Sequence, residues 1–123
     1  MDPVDSRYAR PVFARLRRAC LALPDTSEAV AWGHPVFRIG ANGRTFCAFE
    51  ILKERPTIAL GVTPADAKRF AKKTHFTVTP YGRGAYVSRW LDVPINWREL
   101  ETLLRRSYRG AAAAAATRRR RNR

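Results

Sequence analysis

Between residues 28 and 62 the apolar side chains stop recurring at helical spacing and begin to alternate, and this switch constrains the fold more than any other feature of the chain. Val30 alternates with Trp32 and Phe37 with Ile39, and His34-Pro35 separates the two runs. A period of two is the mark of a half-buried strand. Ala41-Asn42-Gly43 puts Asn-Gly at the centre of a turn, a pair that tolerates the positive φ angles of a tight hairpin. Residues 45–52 then carry Phe46, Cys47, Phe49 and Ile51, the charged Lys53-Glu54-Arg55 makes a hairpin tip, and residues 56–62 supply another strand. The stretch predicts an antiparallel meander of three or four strands.

Helical patterns surround the meander. Val12, Phe13, Leu16, Ala19, Cys20 and Leu23 share one helical face over residues 11–22. Pro11 suits the first turn, where a missing N–H costs nothing, and Pro24-Asp25 is the stop. Thr63-Pro64-Ala65-Asp66 opens a second helix that runs to Lys73, with a capping hydroxyl, a first-turn proline and an acid. Residues 76–78 and 85–91 form a further strand pair joined by Pro80-Tyr81-Gly82-Arg83-Gly84. Asn96 caps a last helix with Glu99 in the capping-box position and a stripe of Trp97, Leu100, Leu103, Leu104 and Tyr108.

Gly110 is a candidate end for that helix, against six alanines that favour continuing it. Residues 1–110 therefore read as a single domain, and residues 111–123 as an Ala/Arg-rich tail expected to be disordered because its arginines have nothing to pack on. Three helices are too few to cover both faces of five or six strands. The expectation is an α+β two-layer sandwich, α-β(3-4)-α-β(2)-α, with one antiparallel sheet and one of its faces largely open.

The same residues exclude several classes. No apolar run approaches the roughly 18 residues of a membrane span. The polar, charged residues 1–10 lack the apolar core of a secretory signal. Cys20 and Cys47 cannot build a disulfide framework, and two buried free thiols are favoured over one bridge, so the expected compartment is the cytoplasm. The excess of Arg over Lys and the alanine run suit a GC-rich bacterial genome. No phosphate-binding loop or nucleophile elbow occurs: Gly82-Arg83-Gly84 is too short and is not followed by Lys-Ser/Thr. Cys20, Cys47, His34 and His75 lack the paired spacing of a structural zinc site. The chain is expected to be no enzyme, with no catalytic residues, no metal and no cofactor.

Charge is the positive signal. Twenty-four Lys and Arg against ten Asp and Glu give +14, and the five arginines in residues 117–123 leave +9 on residues 1–116. At about 100° per residue, Lys68, Arg69, Lys72 and Lys73 fall on one arc of the second helix, opposite Pro64, Ala67, Phe70 and Ala71. The last helix adds Arg105 and Arg106 beside Arg98 and Arg109, the hairpin before it presents Arg83, and that hairpin's second strand carries Arg89. Like charges at i, i+4 repel, so such clustering points to an anionic partner, and polyphosphate is the commonest. Lys68, Arg69, Lys72, Lys73, Arg83, Arg89, Arg105 and Arg106 are the expected nucleic-acid contacts, made mostly to the phosphates of duplex DNA. Trp32, Trp90 and Trp97 are expected in the core.

The string Ala31-Trp32-Gly33-His34-Pro35-Val36-Phe37-Arg38-Ile39-Gly40, then Arg44-Thr45-Phe46-Cys47-Ala48, then Pro80-Tyr81-Gly82-Arg83-Gly84-Ala85-Tyr86-Val87-Ser88, resembles the MmcQ/YjbR-like family of small bacterial proteins. Asn96-Trp97, Leu100, Leu103-Leu104 and Ser107-Tyr108 extend the match to residues 10–110. The resemblance implies an α-β(3)-α-β(2)-α double-wing fold akin to frataxin-like and secretion-chaperone-like domains, and a DNA-binding role. Some members carry His, Lys and Trp in the second hairpin, where this chain has Tyr81-Gly82-Arg83-Gly84-Ala85-Tyr86-Val87, so only the position of the wing is carried over. The leading expectation is a non-enzymatic nucleic-acid-binding module. The alternatives are an adaptor that binds an acidic protein segment on the open sheet face, and a small-molecule site around the Trp32-Gly33-His34-Pro35 corner.

Overall fold

Two tight reversals set the strand order. Trp32-Gly33 (φ 57° and 82°) and Lys53-Glu54 (φ 52° and 63°) both turn through the left-handed region, which matches the right-handed twist of the strands they join. The computed structural model describes residues 6–41 and 43–121. A 3-10 turn (Ser6–Ala9) leads into α1 (Pro11–Leu21), followed by β1 (Thr26–Ala31), β2 (His34–Ile39), β3 (Thr45–Leu52) and β4 (Arg55–Gly61). Then come α2 (Pro64–Ala71), β5 (Phe76–Val78), β6 (Tyr86–Trp90) and α3 (Trp97–Arg121). All six strands pair antiparallel in the order β1-β2-β3-β4-β6-β5.

The expected two-layer α+β architecture with one open sheet face is the one found. Two details differ, and one lies outside the described residues. The first hairpin turns at Trp32-Gly33, and His34 and Pro35 already belong to β2, paired with Ala31 and Val30. The expected turn at Ala41-Asn42-Gly43 has its central residue outside the described residues. The tail expected to be disordered from Ala111 instead continues α3 to Arg121, because Gly110 takes a helical conformation and Ala111 packs into the core.

One sheet face receives the helices. Phe37, Phe49, Ile58, Leu60 and Val87 meet Phe13, Leu16 and Cys20 of α1 and Leu100, Leu103 and Leu104 of α3, nearly all of them free of solvent. Phe13 and Phe37 both lean on Phe49, at 4.8 and 5.0 Å between ring centres, so truncating Phe49 would cost about 3–5 kcal/mol. Between β2 and β3 the register slips, from Phe37↔Cys47 to Arg38↔Thr45. Phe46 is the extra residue of this bulge, and it packs edge-on against Tyr108 of α3. Cys20 and Cys47 are buried free thiols with their sulfurs 3.9 Å apart, and burial pushes the Cys47 thiol up.

The caps foreseen in the sequence form. Thr63 Oγ1 accepts from the Asp66 N–H at 3.1 Å at the start of α2, and Asn96 Oδ1 accepts from the Glu99 N–H at 3.1 Å at the start of α3. Among the described residues no helix is long and apolar enough to cross a membrane.

Candidate nucleic-acid interface

α2 lies over β5 and β6 and buries Ala67 toward the sheet, while Phe70 packs on Phe76 at 5.7 Å. The opposite side presents Lys68 and Arg69, and because the helix ends at Ala71, short of the expected Lys73, Lys72 and Lys73 follow just past its end, all four exposed. The helix thus arranges its residues as its periodicity requires. Among the described residues Lys68, Lys72 and Lys73 have no carboxylate within 4.0 Å.

α2 and α3 are joined through one acid. Asp66, largely covered, takes Arg69 Nη2 at 2.8 Å from its own helix and Arg106 Nη2 at 2.7 Å from α3. Two of the expected contacts are therefore brought together, but partly neutralised. Arg105 is exposed on the outer side of α3, with only a 3.4 Å bond to Thr102. Beyond it come Arg109 and the four arginines at 118–121, none with a carboxylate partner among the described residues.

A groove of about 610 Å³ runs between α3, the start of α2 and the ends of β3 and β4, and Arg44, Arg106 and Arg109 line it. Arg44 also borders a hollow of about 220 Å³ against Ala114, Ala115 and Arg118. Together they make a cationic track along α3. The track depends on the extension of α3 past Gly110, which at about 1.5 Å per residue makes the whole helix about 38 Å long. Arg44 was not among the expected contacts. Nothing local marks it, since only the packing of α3 across the β2–β3 connection gives it cationic neighbours.

Two expected contacts change character. Arg89 is buried at 3% exposure, donates to the carbonyls of Trp90 and Pro94 and lies over the Phe76 ring. Its place on the helix-covered face of β6 leaves it almost no exposed surface, so its role is in the fold; burial lowers its guanidinium from the usual value. Arg83 is exposed, but its hairpin is no free-standing wing. Residues 82–84 form a 3-10 turn, with Arg83 itself at φ 55°. The segment folds back over the open sheet face, where Tyr86 Oη donates to the Thr45 carbonyl at 3.1 Å and the Tyr81 phenol comes near the Glu50 carboxyl. Gly82 permits this, because a Cβ there would lie 2.4 Å from the Tyr86 ring.

That folded-back segment walls a hollow of about 570 Å³ on the open face, lined by Ala31, Trp32, His34, Val36, Arg38, Thr45, Ala48, Tyr81 and Tyr86. His34 Nε2 lies 3.9 Å from Glu50, whose carboxyl is raised chiefly by burial and lowered by Tyr81 and His34. Burial and the Glu50 carboxylate push the Tyr81 phenol far up. Of the tryptophans expected in the core, Trp97 packs against it half-buried and Trp90 is half-buried on the open face, each with a guanidinium 3.9 Å from its ring (Arg15 and Arg55). Trp32 departs from expectation at 97% exposed. Among the described residues no group of three His, Cys, Asp or Glu is placed to hold a metal ion.

Comparison with known proteins yields one family and a shared fold. The sequence model described as YjbR matches residues 21–110. A crystal structure of a Pseudomonas syringae protein superposes with a TM-score of 0.68 at 17% identity, covering 80% of this chain and 97% of that one. A Deinococcus radiodurans protein with the domain DUF419 superposes with a TM-score of 0.66 at 22% identity, covering 77% of this chain and 74% of that one. No curated protein matches the chain.

Proposed function

The chain belongs to the YjbR family, and from that premise we propose that it is a non-enzymatic, cytoplasmic nucleic-acid-binding module that grips the phosphates of duplex DNA without reading sequence. One observation carries the reading. Lys68, Lys72, Lys73, Arg105, Arg109 and the arginines at 118–121 are exposed along α2, just past its end and along α3, with Asp66 linking the two helices, and among the described residues no carboxylate lies within 4.0 Å of them. A row of uncompensated cations repels itself, and a polyanion relieves that repulsion by releasing its own counterions. The duplex would lie along α3 with its backbone across the α2 face. Arg83 would add a contact at the sheet end, and Arg89 would add none.

Gel retardation of two unrelated duplexes at 50 and 200 mM salt tests this. Engagement of about five phosphates gives a log–log salt slope near −4.5, a fall of several hundredfold in affinity. Both duplexes should bind alike, and replacing Lys68, Lys72 and Lys73 together by Gln should flatten the slope by about two to three. Undetectable or salt-indifferent retention would overturn the reading. An acidic protein segment offers the same charge, so retention that polyglutamate abolishes as readily as competitor DNA would move the proposal to that partner.

A further inference from the structure

On the open face, away from the helices, we propose a second site: the hollow between the β1–β2 turn and the 81–86 segment binds a small planar aromatic or heteroaromatic anion of one or two rings. The size suits it, since about 570 Å³ falls within the range of small-ligand pockets.

The walls supply the ring chemistry. Trp32 stands at the mouth almost wholly in solvent, at φ 57°, a backbone region that a bulky residue adopts only at a cost. It packs on nothing that would offset the strain, while a flat ligand would give its indole a stacking partner. Across the hollow Tyr81 and Tyr86 present two rings 6.2 Å apart, and the Tyr86 hydroxyl is held on the Thr45 carbonyl. The floor is apolar and shallow-sided because Val36 and Ala48 are small.

The polar groups supply the charge. Arg38 lines the hollow half-buried, and among the described residues no carboxylate lies within 4.0 Å of it. Glu50, on the same sheet face, lies 3.9 Å from His34 Nε2. An unneutralised guanidinium beside three aromatic rings fits an anion on a flat ring, either a carboxylate or a nucleotide phosphate.

Fluorescence titration and amide NMR shifts of the full chain with 2-naphthoate, adenosine 5′-monophosphate and neutral 2-naphthalenemethanol test the proposal. Saturable binding of at least one anion is expected, with shifts centred on residues 31–38 and 81–86. Naphthoate should bind about tenfold or more tighter than the alcohol if it is the anion taken, as expected for a charge-assisted contact. Arg38→Gln should abolish the preference for the anion, and Trp32→Ala, on an exposed turn where the fold has nothing to lose, should weaken binding about tenfold. Naphthoate against the nucleotide separates carboxylate from phosphate ligands. Saturation by neither anion up to about 10 mM, equal binding of naphthoate and the alcohol with no nucleotide binding, or binding undiminished in either variant would overturn the site. Trp32→Ala should leave duplex retention unchanged, so this site and the phosphate-binding reading fail separately.

Discussion

Arg89 and Glu50 are both charged groups taken out of water, and each has a different cost. Arg89 answers its burial with two carbonyl acceptors and the Phe76 ring. Arg89→Met keeps most of the volume but leaves the Trp90 and Pro94 carbonyls without their donor, so urea unfolding should register a loss of about 1–3 kcal/mol. Duplex retention per folded molecule should not change. Glu50 is covered on the open face, and its carboxyl is raised mainly by burial. A carboxyl whose folded-state pKa lies above its unfolded value is bound more tightly by protons in the fold, so stability from this group rises as pH falls through that pKa and is lost above it. Glu50→Gln removes the penalty. Its urea midpoint should gain on that of the wild type between pH 5 and pH 8, and a constant difference across the range would remove Glu50 as the cause. Neither burial was legible in the sequence. Arg89 sits in an alternating strand whose two faces are chemically similar, Tyr86, Ser88 and Trp90 against Val87, Arg89 and Leu91.

At the scale of elements, local chemistry carried far. The Thr63 and Asn96 caps, the proline starts of α1 and α2 and the turn at Lys53-Glu54 all form where the residues indicate, because each needs only neighbours a few positions away. Gly110 is the element-scale exception. Glycine weakly disfavours helix, but Ala111 reaches the core and the alanines beyond favour helix, so packing outweighs the local stop. A Cβ at Gly110 would meet nothing within 4 Å. Gly110→Ala should therefore stabilise by about 0.5–1 kcal/mol, seen as a higher urea midpoint and increased helical circular dichroism. Loss of stability would mean that the chain breaks at this position after all.

Over the whole molecule, the distribution of charge is decided by which acids the fold places beside which bases. Among the described residues Asp66 is the carboxylate set between the basic faces of α2 and α3, holding Arg69 and Arg106. Asp66→Asn keeps the shape and frees both guanidiniums. Two weakened surface pairs should cost about 1 kcal/mol of stability. Under the phosphate-binding reading the variant should also bind duplex more tightly and steepen the log–log salt slope by up to about two. Weaker binding would instead show that Asp66 positions the two arginines for the backbone. The helix and strand order, the caps, the single open sheet face and the cationic arc of α2 follow from the amino-acid order alone, since they depend on period, propensity and nearest neighbours. Other features needed the tertiary structure: the burial of Arg89, the exposure of Trp32, the entry of Arg44 into the groove beside α3 and the hollow beneath Tyr81. Each depends on which distant segments share a face, and contacts between residues far apart in the chain leave no periodic trace in it.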